Sequence, residues 1–144
     1  MSNIKKLDLI IWGATGFTGQ LVSQYINKTY SSTKLKWGIA GRNKEKIFSI
    51  AKKLKINGDR VFIAESKNLE SLIKLTSKTK VICTTVGPYA KLGTNLIEAC
   101  ISSGTDYCDI TGETQWIRRI IDKYHKLAEE KNVKIINSCG FDSI

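Results

Sequence analysis

Three glycines at intervals of three residues lie between an apolar segment and the start of a helical pattern. Residues 8–20 read DLIIWGATGFTGQ, with the glycines at Gly13, Gly16 and Gly19. A strand, a glycine turn and the start of a helix in this order can hold the pyrophosphate of a dinucleotide. The chemistry predicted here is therefore anion binding by backbone N–H groups at the beginning of a helix.

Each glycine has its own task in such a site. Gly13 allows a tight turn out of the strand, and Gly16, which has no Cβ, lets the backbone approach a phosphate. Gly19 lets the helix lie close to the strand. The predicted pyrophosphate-binding residues are Gly13, Ala14, Thr15, Gly16, Phe17, Thr18 and Gly19. Because three glycines alone are a common pattern, a glycine-rich turn that binds no ligand is the alternative interpretation.

The residues after the second apolar segment bear on which dinucleotide is bound. Proteins that bind NAD place an acidic residue here to hydrogen-bond the ribose hydroxyls, but no Asp or Glu occurs between Gly19 and Glu45. Gly41 and Arg42 occupy this position instead. A guanidinium can bind a 2′-phosphate through two parallel hydrogen bonds. The pattern favours NADP over NAD as cofactor, and an exposed basic loop is the alternative.

A second loop that can contact a cofactor follows the fourth apolar segment. It contains Val86, Gly87, Pro88 and Tyr89. Gly87 lets the backbone pass close to the pyrophosphate or the nicotinamide ribose, and we predict cofactor contacts from Val86 to Pro88. Tyr89 is expected to pack on the loop, because the residue four positions later is Gly93 and not the lysine of a Tyr-x-x-x-Lys pair.

Two carboxylates leave the fifth apolar segment toward the same expected cleft. Asp109 and Glu113 can orient a substrate, or act as acid and base when desolvated, so both are candidate catalytic residues. In the alternative interpretation, Thr111 or Thr114 caps the next helix while Glu113 stabilises the N-terminus of that helix.

These loops require strands and helices that alternate along the chain. Apolar segments typical of buried strands cover residues 7–12, 35–40, 61–64, 81–86, 107–110 and 133–137. Amphipathic patterns lie between them, and the first helix is predicted to present one apolar stripe of Phe17, Leu21, Val22, Tyr25 and Ile26. This alternation predicts an α/β fold, a doubly wound parallel sheet with strand order 3-2-1-4-5-6. Ligands bind such sheets beyond the carboxyl ends of the strands, where strands 1 and 4 meet.

The composition excludes several other classes of protein. With 144 residues, 42% hydrophobic and 25% charged, the sequence is that of one soluble globular domain with no signal peptide and no membrane-spanning run. The net charge of +10 comes mostly from scattered lysines, which predicts a solvated surface and no nucleic-acid site. The four cysteines form no CxxC pair and the only histidine is His125, so we predict no metal site and a reducing, cytoplasmic location.

Five motifs occur together in one order: GATGFTG at 13–19, AGR at 40–42, VGPY at 86–89, YCDITGE at 107–113 and GFDS at 140–143. The set resembles the N-terminal part of the saccharopine dehydrogenase-like oxidoreductases, from Asp8 to Ile144. The resemblance implies that residues 1–144 are a Rossmann-type NAD(P)-binding domain, which a larger second domain follows in the family. We therefore expect a longer two-domain protein, whose relatives include enoyl reductases of lipid intermediates.

Two functions are compatible with these features. The first is the cofactor half of an NADP-dependent oxidoreductase, which moves a hydride to or from a C=N, C=O or C=C bond of a small molecule. The second is a non-catalytic NADP(H)-sensing or scaffold module. A homodimer formed through the second domain, and association with lipid or membrane, are left open.

Overall fold

The structure, a computed structural model, describes residue 5 and residues 7–141, which contain six parallel strands in one sheet. The strands are β1 (Leu7–Trp12), β2 (Trp37–Gly41), β3 (Val61–Ile63), β4 (Thr79–Thr84), β5 (Asp106–Asp109) and β6 (Ile135–Ile136). The helices are α1 (Phe17–Thr29), α2 (Lys44–Leu54), α3 (Leu69–Thr76), α4 (Tyr89–Leu92), α5 (Thr94–Ser103) and α6 (Thr114–Glu130). The order β3-β2-β1-β4-β5-β6 confirms the predicted doubly wound α/β fold.

β1 lies at the centre of the sheet because its sequence is apolar on both faces. Ile11 is opposite Ile39 of β2 on one side and opposite Cys83 of β4 on the other. Helices α1 and α2 cover one face of β1, β2 and β3, where Ile11, Ile39 and Ile47 are fully buried. Helices α3, α5 and α6 pack on the opposite face, in a larger core around Ile82. The reversal of strand order between β1 and β4 leaves a crevice at the carboxyl ends of these two strands.

The predicted apolar stripe of α1 divides between two faces of the helix. Two of its members pack against the core and three are exposed: Val22 and Ile26, and Phe17 (81%), Leu21 (50%) and Tyr25 (61%). The helix turns Gly19 and Ser23, both buried, toward the strand instead. The prediction of one core-facing stripe is therefore wrong for three residues. Despite this second apolar surface, no helix within the described ranges is long and apolar enough to cross a membrane.

Four strands, β3, β4, β5 and β6, end one or two residues earlier than their apolar segments predict, and side-chain contacts lie at the ends of β4 and β6. β4 stops at Thr84, whose hydroxyl oxygen accepts a hydrogen bond from the Val86 N–H at 3.2 Å, so Val86 belongs to the loop. β6 contains only Ile135 and Ile136, and directly after it the Asn137 side chain donates to Asp109 at the end of β5. Hydrophobic periodicity does not report either of these side-chain contacts.

Candidate cofactor-binding site

A cleft of about 230 Å³ lies beyond the carboxyl ends of β1 and β4, at the position predicted from the strand order. It is lined by Trp12, Gly13, Thr15, Gly16, Gly41, Arg42, Ser66, Thr85, Val86, Gly87 and Leu92. Of the other predicted cofactor residues, Ala14 is fully buried, Phe17, Thr18 and Pro88 are exposed, and Gly19 is buried on the side of α1 that faces β1. A larger apolar groove of about 380 Å³ separates α6 from β6, but the glycine turn does not line it.

The glycine turn has the geometry that its spacing predicts. Gly13 has a φ of +90°, and a Cβ there would lie 2.5 Å from Val86 Cγ2. The N–H groups of Gly13 and Ala14 both donate to the Ala40 carbonyl oxygen, at 3.0 and 3.2 Å, which ties the turn to β2. A Cβ on Gly19 would lie 2.0 Å from the Gly13 carbonyl oxygen, so only glycine allows α1 to approach β1 this closely.

Gly16 differs from the other two because the protein itself leaves it free space. Its φ of −77° is open to any residue, and a Cβ would meet only the Gly13 carbonyl oxygen at 3.5 Å. The residue is exposed on the wall of the cleft. A side chain here would occupy the cleft and not the protein interior, which is the arrangement expected where a ligand approaches the backbone.

The N-terminus of α1 is open for an anion. Gly16 is the N-cap and has no side chain to accept from the first N–H groups, and the first turn contains no acidic residue. In α2 and α3 the corresponding position is an asparagine, and the side chains of Asn43 and Asn68 accept from Lys46 N and Ser71 N. The first N–H groups of a helix need an external partner, so a phosphate fits this position in α1.

Arg42 follows β2 directly and lies on the wall of the same cleft. Its side chain is exposed, and within the described residues it forms no ion pair. The guanidinium is therefore available to a phosphate group at the ribose end of a dinucleotide.

Glu113 connects two loops. Its two carboxylate oxygens accept from the backbone N–H groups of Tyr89 and Ala90, at 2.7 and 2.9 Å. These N–H groups begin α4, so the side chain of Glu113 supports α4, while its backbone carbonyl oxygen accepts from Ile117 N at 3.0 Å in the following helix. Thr111 contributes to the local turn by accepting from Glu113 N at 3.1 Å. The carboxylate thereby positions the loop that contains Gly87, and its candidate catalytic role stays a prediction.

Asp109 is 1% exposed and surrounded by donors. Its oxygens accept from Tyr107 Oη at 2.6 Å, Asn137 Nδ2 at 2.8 Å, Ser138 N at 2.9 Å and Thr111 N at 3.1 Å. Burial and the Asp109 charge raise the pKa of Tyr107 far above its ordinary value, so this hydroxyl stays protonated and donates. The contacts join the exit of β5 to the exit of β6. A catalytic role for Asp109 likewise stays a prediction, and it would require some of these bonds to open.

Tyr89 packs on the loop, as the absence of a partner lysine predicts. It is buried, its hydroxyl donates to the Thr84 carbonyl oxygen at 3.2 Å, and its ring lies 5.7 Å from that of Trp116. Burial raises the pKa of Tyr89 to about 12. The hydroxyl therefore serves the loop structure and is not presented to the cleft.

Sequence reasoning missed four cleft residues. Trp12, Ser66, Thr85 and Leu92 line the cleft but were not predicted to contact the cofactor. Thr85 was assigned to a strand that ends one residue earlier, and Ser66 follows β3, a strand exit that the same topological rule would have included. Asp142 and Ser143 follow the sixth apolar segment and, like Asp109 and Glu113, could be either catalytic or structural. Both lie outside the described residues.

Comparison with known proteins agrees with this geometry. The family model of the saccharopine dehydrogenase NADP binding domain matches residues 9–136. The chain therefore belongs to this family of NADP-binding domains. It is 36% identical over 142 residues to a trans-acting enoyl reductase of Mycobacterium bovis, a match that covers 97% of this chain and 34% of the relative. The corresponding enzyme of Mycobacterium ulcerans is 35% identical over the same shares of the two chains. The chain thus spans about a third of the length of these relatives.

Solved structures share the fold. Saccharopine dehydrogenase (L-Glu forming) of Saccharomyces cerevisiae superposes with a TM-score of 0.73 at 18% identity, covering 94% of this chain and 28% of that one. AtPrR2, solved with NADP+ and (+)pinoresinol, superposes with a TM-score of 0.60 at 8% identity, covering 92% of this chain and 49% of that one.

Proposed function

We propose that this member of the saccharopine dehydrogenase NADP-binding family holds NADPH for an oxidoreductase that reduces a C=C bond of a small-molecule substrate. The observation that carries the proposal is the N-terminus of α1, where Gly16 leaves both the N–H groups and the space above them open. The backbone conformation and the free space at Gly16 would accept a side chain, whereas a phosphate that approaches the backbone would not.

The chain's own residues have separate tasks in this proposal. The first N–H groups of α1 bind the pyrophosphate, the turn from Gly13 to Gly16 leaves the space for it, and Arg42 binds the 2′-phosphate. Val86 and Gly87 border the nicotinamide half, and Glu113 orients their loop through α4. The bound cofactor supplies the hydride, while the protein orients it and limits its contact with water.

The names of the relatives support a C=C bond over the C=O and C=N alternatives. The bacterial proteins that match along 97% of this chain are described as trans-acting enoyl reductases. An enoyl group is an α,β-unsaturated acyl group, so the substrate class we propose is an α,β-unsaturated acyl compound. A cytoplasmic location fits the four cysteines, all of which are free thiols.

Calorimetric titration with NADPH and NADH tests the cofactor part of the proposal. One molecule of NADPH should bind per chain, more tightly than NADH. Equal affinities, or no binding of either, would overturn it. For the substrate part, NADPH consumption by the product of the whole reading frame should be highest with an enoyl thioester, compared with a ketone and an imine.

A non-catalytic NADP(H) sensor is the second candidate function. The observation in its favour is that none of the described residues lining the cleft is Asp, Glu, His, Lys, Cys or Tyr, so this part of the chain brings no acid–base group to it. The downstream reading frame distinguishes the two candidates. A continuation of ~200 residues, enough for a substrate domain, supports an enzyme, and a stop codon shortly after Ile144 supports a sensor.

A further inference from the structure

Two cysteines are neighbours on adjacent strands and lie on the same face of the sheet as Ile11. Cys83 of β4 and Cys108 of β5 are paired residues in the parallel ladder. Residues opposite each other in a ladder point to the same face of the sheet, and Ile11 and Ile136 share that face through their own pairings. Neither thiol is in a disulfide, and both side chains are half-buried.

The exposure of this pair follows from the distribution of helices. α1 and α2 cover this face over β1, β2 and β3, and their core contains no residue of β4, β5 or β6. α3, α5 and α6 pack on the other face. Within residues 7–141 no helix covers Cys83 and Cys108, and the neighbouring Ile136 is 53% exposed. Within the described residues, both side chains therefore keep partial contact with solvent.

The backbone spacing suits a bond between them. Neighbouring strands lie about 4.8 Å apart, which falls within the roughly 4.4–6.8 Å that separates the Cα atoms of disulfide-bonded cysteines. No disulfide joins them, and each thiol perturbs the pKa of the other. A disulfide here would join residues at paired positions of adjacent strands.

The two thiols differ in reactivity. The hydrogen bond from Cys108 lowers the pKa of Cys83 below its ordinary value, against the opposing effect of burial. The same bond, together with burial, raises the pKa of Cys108. Since the thiolate is the nucleophile, the lowered pKa favours Cys83 as the residue that attacks the oxidant. By contrast, Cys100 in α5 is fully buried and its pKa is raised by desolvation, so it is inert.

We propose that Cys83 and Cys108 form a redox-modification site, in which a peroxide converts the two thiols into a cross-strand disulfide. The Cys83 thiolate attacks one peroxide oxygen, the O–O bond breaks, and Cys83 becomes a sulfenic acid while hydroxide leaves and takes up a proton. The Cys108 sulfur then attacks the Cys83 sulfur, the S–O bond breaks and water leaves. In total two thiols lose two protons and two electrons, and one hydrogen peroxide becomes two waters. The bond joins the two strands whose exits carry Val86 and Glu113.

The test is oxidation of the chain with hydrogen peroxide, followed by thiol counting after denaturation and by peptide mapping. The thiol count should fall from four to two, one peptide pair should link Cys83 to Cys108, and dithiothreitol should restore all thiols. In Cys108→Ser the sulfenic acid has no partner on β5, so dimedone should label Cys83. In Cys83→Ser the cross-strand link should be lost.

Cys139 provides the matched control because it is exposed and lies after β6. Its thiol donates to the Ile136 carbonyl oxygen at 3.6 Å. Cys139→Ser should still form the Cys83–Cys108 link at an unchanged rate. A link from Cys139 to either strand cysteine in the parent protein, or loss of thiols without any link between Cys83 and Cys108, would overturn the proposal.

Discussion

Gly16 and Gly19 are about one helical turn apart. The protein leaves free space at Gly16 and none at Gly19. A Cβ on Gly19 would collide with the Gly13 backbone, whereas a Cβ on Gly16 would enter the cleft. One glycine therefore serves the packing of the protein and the other leaves room for a ligand. This difference allows binding and folding to be separated by mutation.

Gly16→Val should abolish binding of NADPH and NADH while the domain stays folded. The backbone conformation of Gly16 is open to valine, but the two methyl groups would occupy the position of the pyrophosphate. Circular dichroism should stay native-like, and the ligand-induced rise in melting temperature should disappear. Gly58→Val is the control, because a Cβ on Gly58 meets nothing within 4 Å, away from the cleft. A normal thermal shift in the Gly16 variant would show that this glycine is structural only.

Arg42→Glu should weaken NADPH by about 2–3 kcal/mol, because a charged hydrogen bond is lost and a repulsive charge is introduced. This corresponds to roughly 30- to 150-fold in Kd. NADH, which has no 2′-phosphate, should lose much less affinity. Calorimetry with both cofactors measures the difference, and Lys126→Glu on α6 controls for the same change in net charge. Equal losses for both cofactors would remove Arg42 from the 2′-phosphate site.

At the scale of elements, the close approach of α1 to β1 depends on a single missing atom. Gly19→Ala should lower the free energy of unfolding by about 2–4 kcal/mol, since the new Cβ lies 2.0 Å from the Gly13 carbonyl oxygen and the helix must move. Gly16→Ala, the matched control at the N-cap, should cost under about 1 kcal/mol. Urea denaturation measures both values. If the two variants were equally stable, the close approach of α1 to β1 would not depend on glycine at position 19.

The short helix α4 is held by the carboxylate of Glu113, which lies at the end of the β5–α6 loop. Glu113→Ala removes the acceptor of two backbone N–H groups, so the free energy of unfolding should fall by about 1–3 kcal/mol. Amide exchange at Tyr89 and Ala90 should accelerate, and NADPH affinity should fall as the Gly87 loop loosens. Glu130→Ala, an exposed carboxylate at the end of α6, should change none of these. Unchanged exchange at Tyr89 would show that α4 is held by other contacts.

At the scale of the whole molecule, the cleft is bordered on one side by exposed residues. Gly16, Arg42, Gly87 and Pro88 are all open to solvent in the described part of the chain. Hydride transfer needs the acceptor within near-attack distance of the nicotinamide and water excluded. The 144 residues should therefore bind NADPH and oxidise none of it above background with enoyl thioesters, ketones or imines. Substrate-dependent NADPH consumption by this chain alone would contradict the two-domain interpretation and make Asp109 and Glu113 the first residues to mutate.

The sequence alone determined the fold, the strand order and the position of the cleft. The alternation of apolar segments with helical patterns is a local signal, and the parallel topology follows from it through short loops. Likewise, the tight turn at Gly13 and the close packing at Gly19 could be predicted, because glycine is the residue whose conformational freedom and lack of Cβ each position requires.

Only the tertiary structure decided what the polar and reactive side chains do. Glu113 supports α4, Asp109 joins two strand exits, and Cys83 meets Cys108, although each pairing spans about 24 to 28 residues of sequence. The outward turn of Phe17 on α1 was hidden for a related reason, because apolar periodicity shows that side chains share a face but not which face the core accepts. These contacts depend on the register and spacing of elements that are distant in sequence, and residue types at local spacing do not determine that register.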